Sequence, residues 1–230
     1  MFAEHPAVFW FTATLAAYVL SRIAYHYVKA WWTSPLLLAC VLCLGLTVVL
    51  HVSYREYMRG GQWLLMLLGP TTVAFALPIY EQRALLRRHW PPLAMGVFFG
   101  CLLAFGGSWL LSGLLGLPEG MRLSVLPRSV TTPFAMAFAK EVGGAPDLAA
   151  VCVIVTGVLG ASFGGMILKI LPLRSALARG AMLGMGAHGA GVARAREIGD
   201  EEGAVAGLVM ILAGVTCALI GPAVAMLGTV

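Results

Sequence analysis

The stretch Leu126-Pro127-Arg128-Ser129-Val130-Thr131-Thr132-Pro133 packs a cation, three hydroxyls and two helix breakers into eight residues. What surrounds it makes that content expensive. The chain has 230 residues, 60% of them hydrophobic and 11% charged, with a mean hydropathy of +0.90. A soluble domain is about 45–50% apolar and about 25% charged. This composition cannot coat a water-soluble globule, so it excludes a soluble enzyme, a disordered chain and a nucleic-acid-binding domain, despite a pI near 9.1. A membrane-spanning helix takes about 20 apolar residues, which allows roughly seven spans with short loops. The chain reads as an all-α polytopic membrane protein, a single domain over residues 1–230, with the lipid bilayer as its first partner.

Eight apolar segments separate the charge clusters: about Pro6–Leu20, Ser34–Val52, Trp63–Tyr80, Pro91–Leu115, Leu123–Ala139, Leu148–Leu171, Ala176–Ala193 and Gly203–Leu227. The basic clusters Arg22/Lys29, Arg83/Arg87/Arg88 and Lys169/Arg174/Arg179 all belong on the cytoplasmic side by the positive-inside rule. Eight full crossings cannot achieve that. Seven can, if the fifth segment enters and leaves on one side, and its two prolines and Arg128 make it the natural candidate. The N-terminus is then outside and the C-terminus inside. In the rival arrangement the fifth segment spans and the glycine-rich seventh lies at the interface. A re-entrant fifth segment must be buried in protein or line a watery cavity, because lipid satisfies no backbone group.

That topology makes segments two to four cross in the opposite sense to segments six to eight. Each triplet has an interrupted middle: Gly69-Pro70 with Pro78 in the third segment, and the glycines around His188 in the seventh. Interrupted segments at matching places in inverted halves point to a transporter site near mid-membrane. Gly and Pro also simply permit close helix packing, a reading that suits Gly160-x-x-x-Gly164 and Gly180-x-x-x-Gly184.

Polar groups stranded at depth are the candidate site. A helix break frees N–H groups with partial positive charge, Ser and Thr cap such ends, and guanidinium pairs bidentately with carboxylate. Arg128, Ser129, Thr131, Thr132 and Pro133 therefore make a chemically sensible carboxylate pocket, with Thr71 and Thr72, after Pro70, able to face it. The plainer alternative is that the hydroxyls satisfy broken backbone while Arg128 snorkels. His188 titrates near physiological pH and is a candidate proton relay. Arg194 is expected to pair with Glu197 or Glu202 as a gate, or else Arg194 to Glu202 is a solvated loop. Glu81 is a gating candidate or a solvated partner of Arg83 or Arg87. Cys40, Cys43, Cys101, Cys152 and Cys217 all lie in apolar runs and read as packing residues. No catalytic constellation, metal-ligand cluster or cofactor motif is legible, so neither an enzyme nor a cofactor is expected.

The Ser-Val-Thr-Thr-Pro string, Val151-Cys152-Val153-Ile154 with Gly157-Val158-Leu159-Gly160, Ala178-Arg179-Gly180 through His188 and Arg194, and Pro78-Ile79-Tyr80-Glu81-Gln82 resemble the LrgB/CidB family of bacterial membrane proteins. The resemblance runs from about residue 34 to the end. Ala187 and Val192 stand where the family commonly has Ser and Thr. The resemblance implies a bacterial cytoplasmic (inner) membrane, a small LrgA/CidA-like membrane partner and antiporter-like inverted repeats. It implies two kinds of function. One is transport of small monocarboxylates such as glycolate, glycerate or pyruvate, coupled to an ion or proton. The alternative is a holin/antiholin-like regulator of murein hydrolase activity and cell lysis. The interrupted helices and the buried arginine favour the transporter. Nucleic acid is not an expected partner, and a homo-oligomer is compatible with the sequence.

Overall fold

The structure is a computed structural model that describes residues 6–28, 33–74 and 76–227. Its regular elements are helices, with no strand among the described residues. The chain divides into two compact units, Met1–Val73 and Ala74–Val230.

In the first unit α1 (Pro6–Tyr27) packs on α2 (Pro35–Val49) and α3 (Tyr54–Met66). Gly60 is what lets α3 approach α1: a Cβ there would sit 2.6 Å from the Phe11 backbone N and 2.8 Å from the Trp10 Cβ. The buried Trp10 ring meets Tyr57 edge-on at 5.4 Å, and the Tyr57 hydroxyl lies 3.1 Å from Thr14 Oγ1. α2 starts on Pro35, where a missing N–H costs nothing, and buries none of its residues. At 1.5 Å per residue its 15 residues fall well short of a hydrocarbon core of about 30 Å. The expected span from Ser34 to Val52 is thus a shorter apolar helix.

The third apolar segment is fragmented. α3 ends at Met66 with Leu67 as its cap, then come α4 (Leu68–Ala74) and α5 (Ala76–Glu81). Pro70 and Pro78 are the third residues of α4 and α5, so each ring lies in a first turn, where no i−4 carbonyl is obstructed.

The second unit is built on long helices. α6 (Arg83–Leu114) has 32 residues and leaves helical geometry at His89 (φ −121°, ψ 23°), just before Pro91 and Pro92. A proline in a helix interior removes a hydrogen bond and crowds the carbonyl of the preceding turn, which is the physical cause of such a kink. α7 (Glu119–Val125) runs into a 3-10 turn, Leu126–Ser129, and two extended residues, Val130 and Thr131, lead to α8 (Thr132–Glu141). α9 (Pro146–Ile170), α10 (Ala176–Ile198) and α11 (Asp200–Leu227) complete the chain.

α8 is the centre of this unit. Ala135, Phe138 and Ala139 are fully buried among Val97 and Cys101 of α6, Val153 of α9, and Leu208, Ala213 and Cys217 of α11. The interrupted fifth segment is therefore enclosed by protein, the condition that irregular backbone requires at membrane depth. Glycines set the helix spacing elsewhere. A Cβ at Gly164 of α9 would lie 2.7 Å from Leu183 Cδ2, and one at Gly160 would run into the Gly186 carbonyl. A Cβ at Gly180 of α10 would lie 2.6 Å from the Glu202 carbonyl, and one at Gly184 would strike the Ala206 backbone. Both Gly-x-x-x-Gly pairs thus serve close packing.

Among the described residues, four helices are long and apolar enough to cross a bilayer by length and composition: Ala7–Tyr27, Arg83–Leu114, Pro146–Ile170 and Asp200–Ala223. That is fewer than seven. The expected spans two, three and seven are short, fragmented or broken by glycine and charge, and the fifth segment, expected to be re-entrant, is interrupted between α7 and α8.

Candidate functional site

The site is assembled where two broken segments meet. The first is the turn between α7 and α8. Pro127 forces the chain into a 3-10 turn, and the bulky rigid Pro133 occupies the second position of α8, where a proline is tolerated. Arg128 projects from this turn toward α6, where its Nε donates to Ser108 Oγ at 2.9 Å. Ser108 is buried and donates in turn to the Ala104 carbonyl at 2.6 Å. The second break is in α10. His188 has φ 45° and ψ −125°, a left-handed conformation that L side chains adopt only under strain. His188 is only 3% exposed, its ring makes a hydrogen bond to the Arg128 backbone, and it faces α9 at Gly157, where a Cβ would sit 3.7 Å from Nδ1.

Two polar atoms in this cluster are sealed without a hydrogen-bond partner: Thr131 Oγ1 and His188 Nε2. Thr131 is the N-cap of α8, yet its hydroxyl makes no cap hydrogen bond. The expected capping role is therefore not what the residue does. An unpaired buried polar group costs about 1–3 kcal/mol, which makes each atom a candidate contact for a bound group. Ser129 is buried beside Arg128, while Thr132 and Pro133 are half-buried at the start of α8. Arg128 itself is half-buried, with no carboxylate paired to it among the described residues. A guanidinium, a hydroxyl and an imidazole N–H can all donate to one anion.

Thr71 and Thr72 are on α4 in the first unit, and their side chains lie outside the described ones. Glu81 is exposed at the end of α5. Arg83 does not turn to it; it donates to the Tyr80 carbonyl at 2.9 Å and lies 4.3 Å over the Tyr80 ring. Arg194 pairs with Glu197, three residues on along an exposed face of one helix. A pair within one helix joins no two elements, so it lacks the geometry of a gate. The expected loop from Arg194 to Glu202 is mostly helix: only Gly199 separates α10 from α11, and Asp200, Glu201 and Glu202 form the first turn of α11. Acids there oppose the positive helix end. Glu202 pairs with Arg179 instead, at 2.6 Å. Arg179 also donates to the Leu173 and Arg174 carbonyls at 3.3 and 3.2 Å, tying the α9–α10 connection to α11.

Ser108 is the site residue the sequence reading missed. Its signal was the pair Ser108 and Ser112, four apart and so on one face of an apolar glycine-rich helix. A separate apolar cavity of about 230 Å³, lined by Pro92, Leu93, Gly96, Ala181, Met185 and Val209 among others, contains none of the predicted site residues.

The model of the LrgB-like family matches residues 14–227. The chain belongs to the LrgB-like family. Within Bacillus subtilis (strain 168), this LrgB-like chain is similar to the uncharacterized protein YwbG, at 36% identity over 88% of the chain and 90% of that protein. It is similar to YxaC at 34% identity, over 93% of both. It is also similar to a protein named antiholin-like protein LrgB, at 30% identity over 93% of both. No solved structure matches the chain.

Proposed function

We propose that this LrgB-like protein moves a small monocarboxylate of the glycolate, glycerate or pyruvate kind across the bacterial cytoplasmic membrane. Arg128, Thr131 and His188 hold the anion between the two helix breaks. The observation that carries the reading is an arginine with no carboxylate partner among the described residues, in contact with His188 and three residues from Thr131, whose buried hydroxyl has no hydrogen-bond partner. A carboxylate accepts from Arg128 and Thr131, and His188 Nε2 can take up a coupled proton and only then donate to it as well. Ser108 positions Arg128. Ser129, Thr132 and Pro133 hold the turn that presents it. The topology that suits the basic clusters has an outside N-terminus, a cytoplasmic C-terminus and a re-entrant segment through α7 and α8. An LrgA-like small membrane protein is the partner that family membership suggests, and no chemical transformation is assigned to the chain.

A second reading has its own support. The relatives' printed names favour an antiholin-like regulator of cell lysis over a transporter. The two differ in what crosses the membrane. Purified protein in proteoliposomes is given radiolabelled glycolate or pyruvate, with and without a proton gradient. Transport predicts saturable, selective uptake that Arg128→Gln and Thr131→Val abolish. Unsaturable leakage of solutes of many sizes, indifferent to Arg128, supports the regulator and sinks the transporter.

A further inference from the structure

Arg122 is a second guanidinium in the same half of the chain, and the carboxylate site does not use it. It lies on α7, one turn in from the exposed α6–α7 connection. Glu119 is three residues earlier on the same helix, the spacing at which an ion pair forms readily. No such pair forms: the ion pairs among the described residues are Arg179–Glu202 and Arg194–Glu197. Arg122 turns to α6 instead, with its Cζ 3.7 Å above the Trp109 ring. Its Nε is sealed and has no hydrogen-bond partner. Its Nη2 approaches α6 where Gly113 leaves room, since a Cβ there would sit 3.3 Å away.

A ring beneath a guanidinium attracts the cation through its face, but it accepts none of the N–H groups, which lie in the guanidinium plane. Stacking therefore orients the fork and leaves its edge chemically vacant. A charge in an apolar bundle ordinarily pairs or stays in water, and here neither a carboxylate nor a carbonyl occupies that edge. Arg122 meets α6 at Trp109 and Gly113, and Arg128 meets it at Ser108. At about 1.5 Å rise per residue these footholds lie within roughly two turns of one another. Ser112, also buried, is four residues on from Ser108 along the same helix.

We propose that the Arg122 edge, held by Trp109 and Gly113, is a second binding position for a small oxyanion, outward of Arg128, where a monocarboxylate waits before it reaches the inner position. The role as a waiting position rests on the transport reading; the existence of the site does not. Trp109 is a built-in reporter, because an anion drawn to the guanidinium changes the charge felt by the indole beneath it.

The test uses the full chain in nanodiscs of phosphatidylcholine, titrated with acetate, and takes the Trp109 signal as the difference between parent and Trp109→Phe. The expected result is a saturable change in emission. Arg122→Gln weakens it at least about tenfold, the scale of one charge-assisted hydrogen bond. Arg122→Lys, which keeps the charge, retains part of it, and Arg128→Gln leaves it in place. No acetate response in the parent, or an equal response in Arg122→Gln, overturns the site. A response that appears only when phosphatidylglycerol is added assigns the edge to a lipid phosphate and overturns it as a waiting position. Uptake in proteoliposomes separates the two proposals. Saturable binding without uptake by the parent refutes transport and keeps the site. Uptake with a KM unchanged in Arg122→Gln refutes the waiting position and keeps transport.

Discussion

Replacing His188 by glycine and by alanine tests whether α10 is truly broken there. In an ordinary helix interior, glycine is about 1 kcal/mol worse than alanine, because its backbone loses more freedom on folding. At His188 the order should invert. The backbone has φ 45° and ψ −125°, and a side chain in such a region costs about 1–3 kcal/mol. Glycine carries no such cost. Both substitutions remove the imidazole, its packing and the unpartnered Nε2, so those losses cancel in the comparison. The remaining difference favours glycine by up to about 2 kcal/mol, after its larger backbone entropy is set against the strain. For a chain of this size, at about 2–4 °C per kcal/mol, that corresponds to a Tm higher by up to roughly 4–8 °C. The assay is thermal unfolding of the full chain in detergent, followed by circular dichroism, with the two variants in parallel. An alanine variant more stable than the glycine variant would refute the reasoning, since it would mean that residue 188 sits in continuous helix.

Other consequences can be measured in the same preparations. Gly184→Ala drives a Cβ into the Ala206 backbone and should cost about 1–3 kcal/mol, whereas Gly186→Ala enters open space and should be neutral or gain up to about 1 kcal/mol; equal Tm shifts would contradict the α10–α11 packing. Arg179→Ala and Glu202→Ala should each speed hydrogen exchange in residues 171–175, because the guanidinium that holds two carbonyls there is removed or released; unchanged exchange would show that the pair does not tie that connection. In the first unit, Tyr57→Phe removes the contact with Thr14 at about 1 kcal/mol, and Gly60→Leu should lower Tm by more than Tyr57→Phe does because it pushes α3 off α1. A smaller drop for Gly60→Leu would mean the helices can part cheaply.

The sequence by itself determined the class of molecule. With 60% hydrophobic residues and 11% charged, no soluble globule can form, and the apolar runs end where charge or proline makes helix in lipid too costly. It also located the two interruptions that matter, because Pro127, Pro133 and the glycines around His188 act locally: a proline removes its own N–H, and a glycine loses its own Cβ. Only the tertiary structure decided which polar groups face one another. Ser108 is twenty residues from Arg128, and nothing in either neighbourhood names the other. Glu202 chose Arg179 rather than Arg194 because Gly180 lets the start of α11 lie against α10, which depends on helix approach and not on charge order. The same holds for the number of spans. Hydropathy measures whether a segment tolerates lipid, while continuous helix also needs every backbone bond made, and α2, α4 and α8 stop too soon for that. Thr131 Oγ1 and His188 Nε2 are the clearest case: a hydroxyl and an imidazole look ordinary in a sequence, and only burial without a partner marks those atoms as candidates.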